Sequence, residues 1–495
     1  MSITLRHYQT DARYQLNALL NASRHPVFVS PTGTGKTKTT TAIIADRVSI
    51  GRRVFVLVPS VEIFTQWMTD LSDAGLNPGY VKSENGMSRM RGQNRSVYVC
   101  MAQSLVNMLD RIPEKLWPDE IVTDECHHSS ASTWEAIYSF FPDATRCGLT
   151  ATPERLDGKG LDHLYTDIVQ TITMKEAIDT GYLAKPLPIV PQKYLDANDI
   201  PTPDIDSSAG LEAQAAKLGK LQIIGDVIES YTRIFHGKPV LVACATYGHA
   251  ELMAEKFVDA GWVFEHIHSK LPKQERRRML RGIRAGTIHG LCTVGIGIEG
   301  MDIPELYGLI WLRRTRSLTI YLQFIGRVLR PLPGKTYGVI LDPVGNLFLH
   351  GFPEADRTWH LEGRGDDCTG DREPPEVPMR ICPWCGVANN PENERCHFCG
   401  MQLLDEDGNR VTKKRELPSF VEGRLIAVTS DGDRQAVEDA IIHDVDAATD
   451  AQKTDKKNEA TILTKGEKKD ILLQGIFAGR ERRPLFNEAI RGMVE

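Results

Sequence analysis

Val27-Phe-Val-Ser30-Pro-Thr-Gly33-Thr34-Gly35-Lys36-Thr37 is the stretch on which the reading turns. Three β-favouring residues lead into a short loop with two glycines, and a helical pattern follows. A strand, a curling loop and a helix N-terminus in that order form an anion site. Gly33 and Gly35 let the backbone N–H groups around Thr34 face phosphate oxygens, and the helix dipole adds positive potential. In such a loop Lys36 contacts the β- and γ-phosphates of ATP and Thr37 ligates Mg²⁺. The strict pattern has glycine where this chain has Ser30, and the alternative is a glycine-rich turn carrying a solvated lysine.

Around this loop, short β-rich runs alternate with amphipathic helical stretches. They are VFV at Val27 to Val29, VFVLV at Val54 to Val58, VYVCM at Val97 to Met101, EIVTDE ending at Glu125 and CGLTAT ending at Thr152. That alternation predicts a parallel sheet covered by helices. A second series follows with PVLVACA from Pro239, VFEHI from Val263, GLCTV from Gly290, YGLIWL from Tyr307 and YGVILD from Tyr337. Two tandem α/β domains are therefore expected, over 1–195 and 218–360, with a linker at 196–217 whose first part is rich in Asp, Pro and Ser.

Asp124-Glu125-Cys126-His127 closes an apolar strand, so both carboxylates fall at the sheet edge where the phosphate loop also opens. There Asp124 can hold Mg²⁺ through its water shell and Glu125 can orient or deprotonate the attacking water. In the second series, Gln323, Arg327 and Arg330 are spaced by four and three residues, which puts them on one face of a helix. Cations fixed there can reach across a cleft to a transferring phosphoryl group, as arginine fingers do. A salt-bridged surface helix is the alternative.

The chain has 495 residues, 41% hydrophobic and 25% charged, enough for two or three domains. It shows no apolar run of 18 residues and no signal-peptide pattern, so a soluble cytoplasmic protein without a membrane segment is expected. The formal net charge of −6 does not announce a nucleic-acid binder. Between His266 and Lys335, however, 13 Lys/Arg face 4 Asp/Glu, an excess of +9, which allows a basic face or a solvated helix.

Taken together, these motifs over Leu5 to Asp342 resemble superfamily-two helicases, and the resemblance implies two RecA-like domains sharing one ATP site. Leu5-Arg6-x-Tyr8-Gln9 resembles the adenine-reading segment, with Gln9 as the base contact and Arg6 or Tyr8 packing nearby. Thr150-Ala151-Thr152 resembles the motif that couples hydrolysis to nucleic-acid binding, and Gln103-Ser104 a strand-contacting motif. Those four polar positions, Gln103, Ser104, Thr150 and Thr152, are the expected nucleic-acid residues. Glu299-Gly300-Met301-Asp302-Ile303-Pro304 resembles the motif touching both nucleic acid and nucleotide, with Gly300 and Asp302 on the nucleotide. The DECH signature, Thr152 to Gly160, Gly181-Tyr-Leu-Ala and a trailing cysteine module look most like RadD-type and phage-encoded DNA helicases. Arg314 stands where those relatives usually carry proline, after the arginine matched by Arg313.

Of ten cysteines, Cys382, Cys385, Cys396 and Cys399 form two C-x-x-C-G turns ten residues apart. Two thiolates from each turn suit one tetrahedral Zn²⁺, with a redox pair as the alternative, so a zinc ribbon is expected over 378–403. Five others, including Cys126 and Cys147, sit in strand-like stretches and read as buried thiols, while Cys368 stands alone. The tail, 404–495, is polar, with helices expected near Ala436 and Ile471 or a flexible chain, and no function assigned.

The resulting expectation is an ATP-dependent helicase or translocase acting on single-stranded or branched DNA in repair, recombination or replication. An RNA helicase is the alternative enzyme, because such motifs grip the sugar-phosphate backbone. The motor subunit of a restriction-type system is another. A zinc-bearing ATP clamp without turnover is the non-enzyme alternative, which intact Asp124, Glu125, Arg327 and Arg330 oppose.

Overall fold

The computed structural model describes residues 3–82, 94–128, 132–154, 160–190, 206–268, 270–294, 303–362, 378–405, 408–411, 419–421 and 424–426. Gly300, Asp302, Cys368 and nearly all of the expected tail lie outside these residues.

The first sheet contains β1 (Pro26–Val29), β2 (Val54–Val58), β3 (Gly79–Val81), β4 (Val97–Met101), β5 (Glu120–Asp124), β6 (Thr145–Thr150) and β7 (Asp167–Val169). Its order is β3-β4-β2-β5-β6-β1-β7, and all pairings are parallel. The second holds β8 (Lys185–Ile189), β9 (Val240–Cys244), β10 (Phe264–Ile267), β11 (Gly290–Val294), β12 (Gly308–Leu312) and β13 (Tyr337–Leu341). Its order is β10-β11-β9-β12-β13-β8, again all parallel. Parallel strands need crossover helices, which cover both faces and bury runs such as Val54 to Val58 along their whole length.

Two expected boundaries differ. The sequence pattern runs the first domain to residue 195, yet β8 is the edge of the second sheet, paired along β13 from Lys185↔Tyr337 to Ile189↔Leu341. Pro186 and Pro188 hid it as a strand; an edge tolerates them because the missing N–H breaks no ladder bond. The linker expected over 196–217 includes the helix Ser208–Leu218, capped by Ser207, whose hydroxyl accepts from the Gly210 N–H at 3.1 Å. Its Gln214 is fully buried, accepting from Arg314 N at 2.8 Å and donating to Arg314 O at 3.1 Å. A proline at position 314 would lose the first of these bonds.

The chain also crosses back between the domains. After the helix Asn346–His350, Trp359 packs against a hydrophobic cluster of each domain, and Leu361 is buried in the one that belongs to the first domain. The Leu361 carbonyl accepts from Leu161 N at 2.6 Å and Asp162 N at 3.2 Å. Gly160 permits this approach, since a Cβ there would lie 2.2 Å from the same carbonyl. Among the described residues no helix is long and apolar enough to cross a membrane.

One buried ion pair fixes the helix that follows the phosphate loop. Arg47, near the end of the helix Lys36–Ser49, donates Nε to Glu120 Oε1 at 2.7 Å, and both residues are 3% exposed. Glu120 begins β5, so the pair ties the far end of the loop's helix to the strand that carries Asp124. Removing one member leaves an uncompensated buried charge, and Arg47→Ala should cost on the order of 3–5 kcal/mol in denaturant unfolding, with Arg47→Met/Glu120→Leu recovering most of it. An unchanged unfolding midpoint in Arg47→Ala would disprove this role.

Candidate functional site

The phosphate loop, the β5 turn and the helix Leu318–Val328 with the residues after it meet in one cleft of about 340 Å³ between the sheets. Gly33, Gly35, Lys36, Thr37, Asp124, Glu125, Arg327 and Arg330 line it, with Thr32 and Pro304 from the quoted motifs and Ile63, Gln66 and Pro331, which the sequence did not single out. Its place follows from topology. The loops after β1 and β5 both leave carboxyl ends of central strands, where open parallel sheets bind ligands.

Gly33 and Gly35 have φ of +90° and +85°, so the loop curls through left-handed backbone that glycine adopts freely. Ser30 has no such φ and takes another part: its hydroxyl shares a 2.6 Å hydrogen bond with Thr34 Oγ1, which donates to Pro31 O at 2.6 Å. The departure from the strict pattern thus adds a brace inside the loop. Lys36 Nζ donates to Ser30 O at 2.9 Å. Burial pulls its ammonium pKa down, the Glu125 and Asp124 carboxylates push it up, and the Arg327 and Arg330 guanidiniums lower it. Five charged groups therefore share one field.

The second domain is seated directly on the loop. A Cβ on Gly33 would lie 3.5 Å from Arg330 Cγ, and one on Gly326 would lie 2.6 Å from Thr32 Cβ. Arg276 and Glu62 pair across the domains at 2.7 Å, and Thr319 Oγ1 donates to Glu154 O at 3.2 Å. Lys335, whose ammonium burial lowers to about 7, donates to Arg330 O at 3.0 Å and also to Leu306 O, tying down the chain just after the helix.

Asp124 is held by Trp67, which donates Nε1 to Oδ2 at 2.8 Å from the helix Val61–Asp73. Hydrophobic spacing marks Trp67 only as core; its indole N–H is what places the acid. Glu125 takes φ +51°, a left-handed value uncommon outside glycine, with its N–H donating to Asp124 Oδ1 at 3.0 Å. Glu125 Oε2 lies 3.5 Å from His127 Nδ1, which is 3.1 Å from Thr150 Oγ1. Thr150 Oγ1 in turn bonds Thr152 O at 2.8 Å. A polar chain therefore links the Glu125 carboxylate to the loop after β6.

The other expected site residues lie outside the cleft lining. Thr150 and Thr152 are fully buried, and Thr150 spends its hydroxyl inside the polar chain. Gln9 does not line the cleft: its Nε2 donates to Thr34 O at 3.0 Å and its Oε1 accepts from Arg6 N at 2.9 Å. Tyr8 Oη also donates to Thr34 O, at 2.5 Å, so this segment braces the loop from behind. Arg6 stacks over the Tyr182 ring at 4.2 Å, giving Tyr182 of the Gly181-Tyr-Leu-Ala segment a definite place. Gln323 is buried one turn before Arg327 and does not line the cleft. Gln103 is exposed and Ser104 donates to Lys82 O at 3.1 Å, both past the carboxyl end of β4.

The four cysteines converge as their spacing requires. Cys382 and Cys399 sulfurs lie 3.7 Å apart, as do those of Cys385 and Cys396, and all four fall within 4.8 Å of one another. A tetrahedron with bonds of about 2.3 Å has edges of roughly 3.8 Å, so the cage fits zinc. Gly386 and Gly400, at φ +75° and +72°, close matching turns by donating N–H to Cys382 O and Cys396 O. His397 is turned to Asn389, 2.9 Å away, and is not a ligand. The module docks on β8 through Val190 N to Gly386 O at 3.0 Å and an Ile189↔Val387 bridge.

The sequence model of the family described as "Type III restriction enzyme, res subunit" matches residues 2–155, and that of "Helicase conserved C-terminal domain" matches 219–331. A "51.5 kDa protein" of Lactococcus phage (isolate 7-9) is 29% identical over 78% of this chain and 80% of its own length. The "DNA 3'-5' translocase XPB2" of Sulfurisphaera tokodaii is 25% identical over 66% of this chain and 79% of its own. Other relatives are longer: the chain spans 64% of "Putative helicase 22" of a Sulfolobus islandicus filamentous virus and 38% of "Putative ATP-dependent helicase IRC3" of Saccharomyces cerevisiae. Among solved structures, "ATP-dependent Type ISP restriction-modification enzyme LlaBIII bound to DNA" aligns with TM-score 0.51 at 19% identity, over 69% of this chain and 28% of that one, a likeness of fold. Both family matches fall on the halves of one cleft, and the chain belongs to the superfamily-two helicases, nucleic-acid-dependent ATPases.

Proposed function

We propose that the chain hydrolyses ATP between its two sheets and uses the cycle to translocate on or unwind DNA, single-stranded or branched. The observation that carries this reading is the meeting in one cleft of Lys36, Asp124 and Glu125 from the first domain with Arg327 and Arg330 from the second. Lys36 and the N–H groups of the Gly33 to Thr37 loop hold the phosphates. Thr37 and Asp124 hold a Mg²⁺ that neutralises phosphate charge when bound. Glu125 takes the proton of the attacking water, and its strained backbone fixes the carboxylate's direction. Arg327 and Arg330 stabilise charge on the transferring group once the domains close. Arg6 and Tyr182 suit the adenine side, with Gln9 setting the loop's shape. The chain from Glu125 through His127 to Thr150 supports coupling between the water-activating acid and the β6 loop.

DNA is favoured by relatives such as the DNA 3'-5' translocase XPB2 of Sulfurisphaera tokodaii. Repair, recombination or replication in the cytoplasm is the setting that fits such a motor, and the cysteine cage takes a structural Zn²⁺. The restriction-subunit family match over 2–155 favours a second reading, a motor subunit whose nuclease lies elsewhere. ATPase assays activated separately by single-stranded DNA, forked duplex, duplex and RNA test the first, and cleavage of plasmid DNA tests the second.

Lys36→Ala and Glu125→Gln should both abolish turnover, with only the first greatly weakening ATP binding by calorimetry, because Lys36 meets phosphate while Glu125 acts on water. Full activity in Glu125→Gln would remove it as the base.

Arg330→Ala should lower nucleic-acid-stimulated turnover by about 10³-fold or more while nucleotide affinity changes far less, since the finger acts on the transition state. Wild-type stimulated rates in that variant would end the two-domain site.

Purified protein should carry one zinc per chain by elemental analysis, lost in Cys382→Ser/Cys385→Ser with ATP binding by the first domain retained. Metal-free wild-type protein would refute the zinc assignment.

A further inference from the structure

Tyr247 is a large ring left 44% exposed, at the first position of the helix Tyr247–Asp259 and three residues past the end of β9. The His268 ring, just past the end of β10, lies 5.1 Å from it at 60°. Strand β11 runs between β9 and β10, so these two rings meet over its carboxyl end. His268 is itself stacked on His266, at 5.7 Å and 12°, and the Lys270 ammonium stands 5.4 Å from the Tyr247 centroid.

This is not core packing, which would remove the ring from water and gain the energy of its burial. It is a ring braced from beside and below with part of its surface turned outward. Glu251 on the same helix acts on His268 against Lys270, and burial with the His266 and Lys270 charges holds His268 toward its neutral form. What the patch offers a partner is a π surface with one cation, the Lys270 ammonium, close to the ring. A nucleobase with its adjoining phosphate has the matching chemistry; every base has a π face, so such a contact tolerates any sequence.

We propose that Tyr247, buttressed by His268 and flanked by Lys270, is a stacking platform for one base of a single strand. This rests on the reading of the chain as a nucleic-acid motor. A platform at the carboxyl edge of the second sheet gives that domain its own grip on a base, beside contacts to the backbone. The grip moves with the domain when the cleft opens and closes.

The test measures binding of full-length protein to oligo-dT and oligo-rU by fluorescence anisotropy across a salt series, with 2-aminopurine oligonucleotides reporting stacking by quenching. Tyr247→Ala should weaken binding to both strands by roughly 5- to 150-fold, lose quenching, and leave the slope against salt unchanged. Tyr247→Phe keeps the ring and should match wild type in all three readouts. Lys270→Ala should instead flatten the salt slope by about 0.7. Wild-type binding in Tyr247→Ala overturns the platform alone. So does a loss confined to one sugar, which means a contact to sugar, or a flattened slope in Tyr247→Ala, which means a lost phosphate contact. Wild-type protein that binds neither strand overturns both the platform and the motor reading.

Discussion

The balance of charge around Lys36 is the constraint on which the rest depends. Its ammonium rests on the Ser30 carbonyl at 2.9 Å, facing two carboxylates from its own domain and two guanidiniums from the other. Counted formally, three positive groups oppose two negative ones. Such a cleft is poised for a multiply charged anion and is poorly satisfied without one, because like charges at close range in a partly dry site repel strongly. The pairing of domains and the binding of nucleotide are thus two descriptions of the same electrostatic requirement.

The scaffold serves that balance by fixing carboxylates from behind. Trp67 holds Asp124, the Arg47–Glu120 pair anchors the strand and helix that converge on the loop, and Tyr8 and Gln9 grip the loop's carbonyls. Each is a directed bond from a side chain to a group distant in sequence. That is why the strands, phosphate loop, DECH turn, cysteine cage and both arginines were legible in the sequence, whereas these supports were not. Period and spacing mark Trp67 as apolar and Arg47 as a helix residue; they carry no information on what an indole or guanidinium will meet.

The misplaced boundaries have the same origin. The sequence of β8 contains two prolines and lacks the apolar run of the other strands, and its partner β13 lies about 150 residues later. Only the register of that pairing reveals it as an edge. The four-cysteine module then caps this edge through Val190 and Val387, so an otherwise open strand is covered. The resemblance puts Thr150 and Thr152 at a nucleic-acid contact, but periodicity carries no information on burial, and both are fully buried, with the Thr150 hydroxyl bonded inside the protein.

Leu361 adds a mechanical property that neither domain has alone. The chain enters the second domain between β7 and β8 and returns at Leu361 to sit in the first domain's core. Two bodies joined at a single point can swing in any direction, but two bodies pinned at two separated points keep one easy rotation, about the line through the pins. Any movement of the two domains that keeps the Leu361 contacts is therefore limited to rotation about the line through the two chain crossings, and the Arg276–Glu62 pair must part for it to occur.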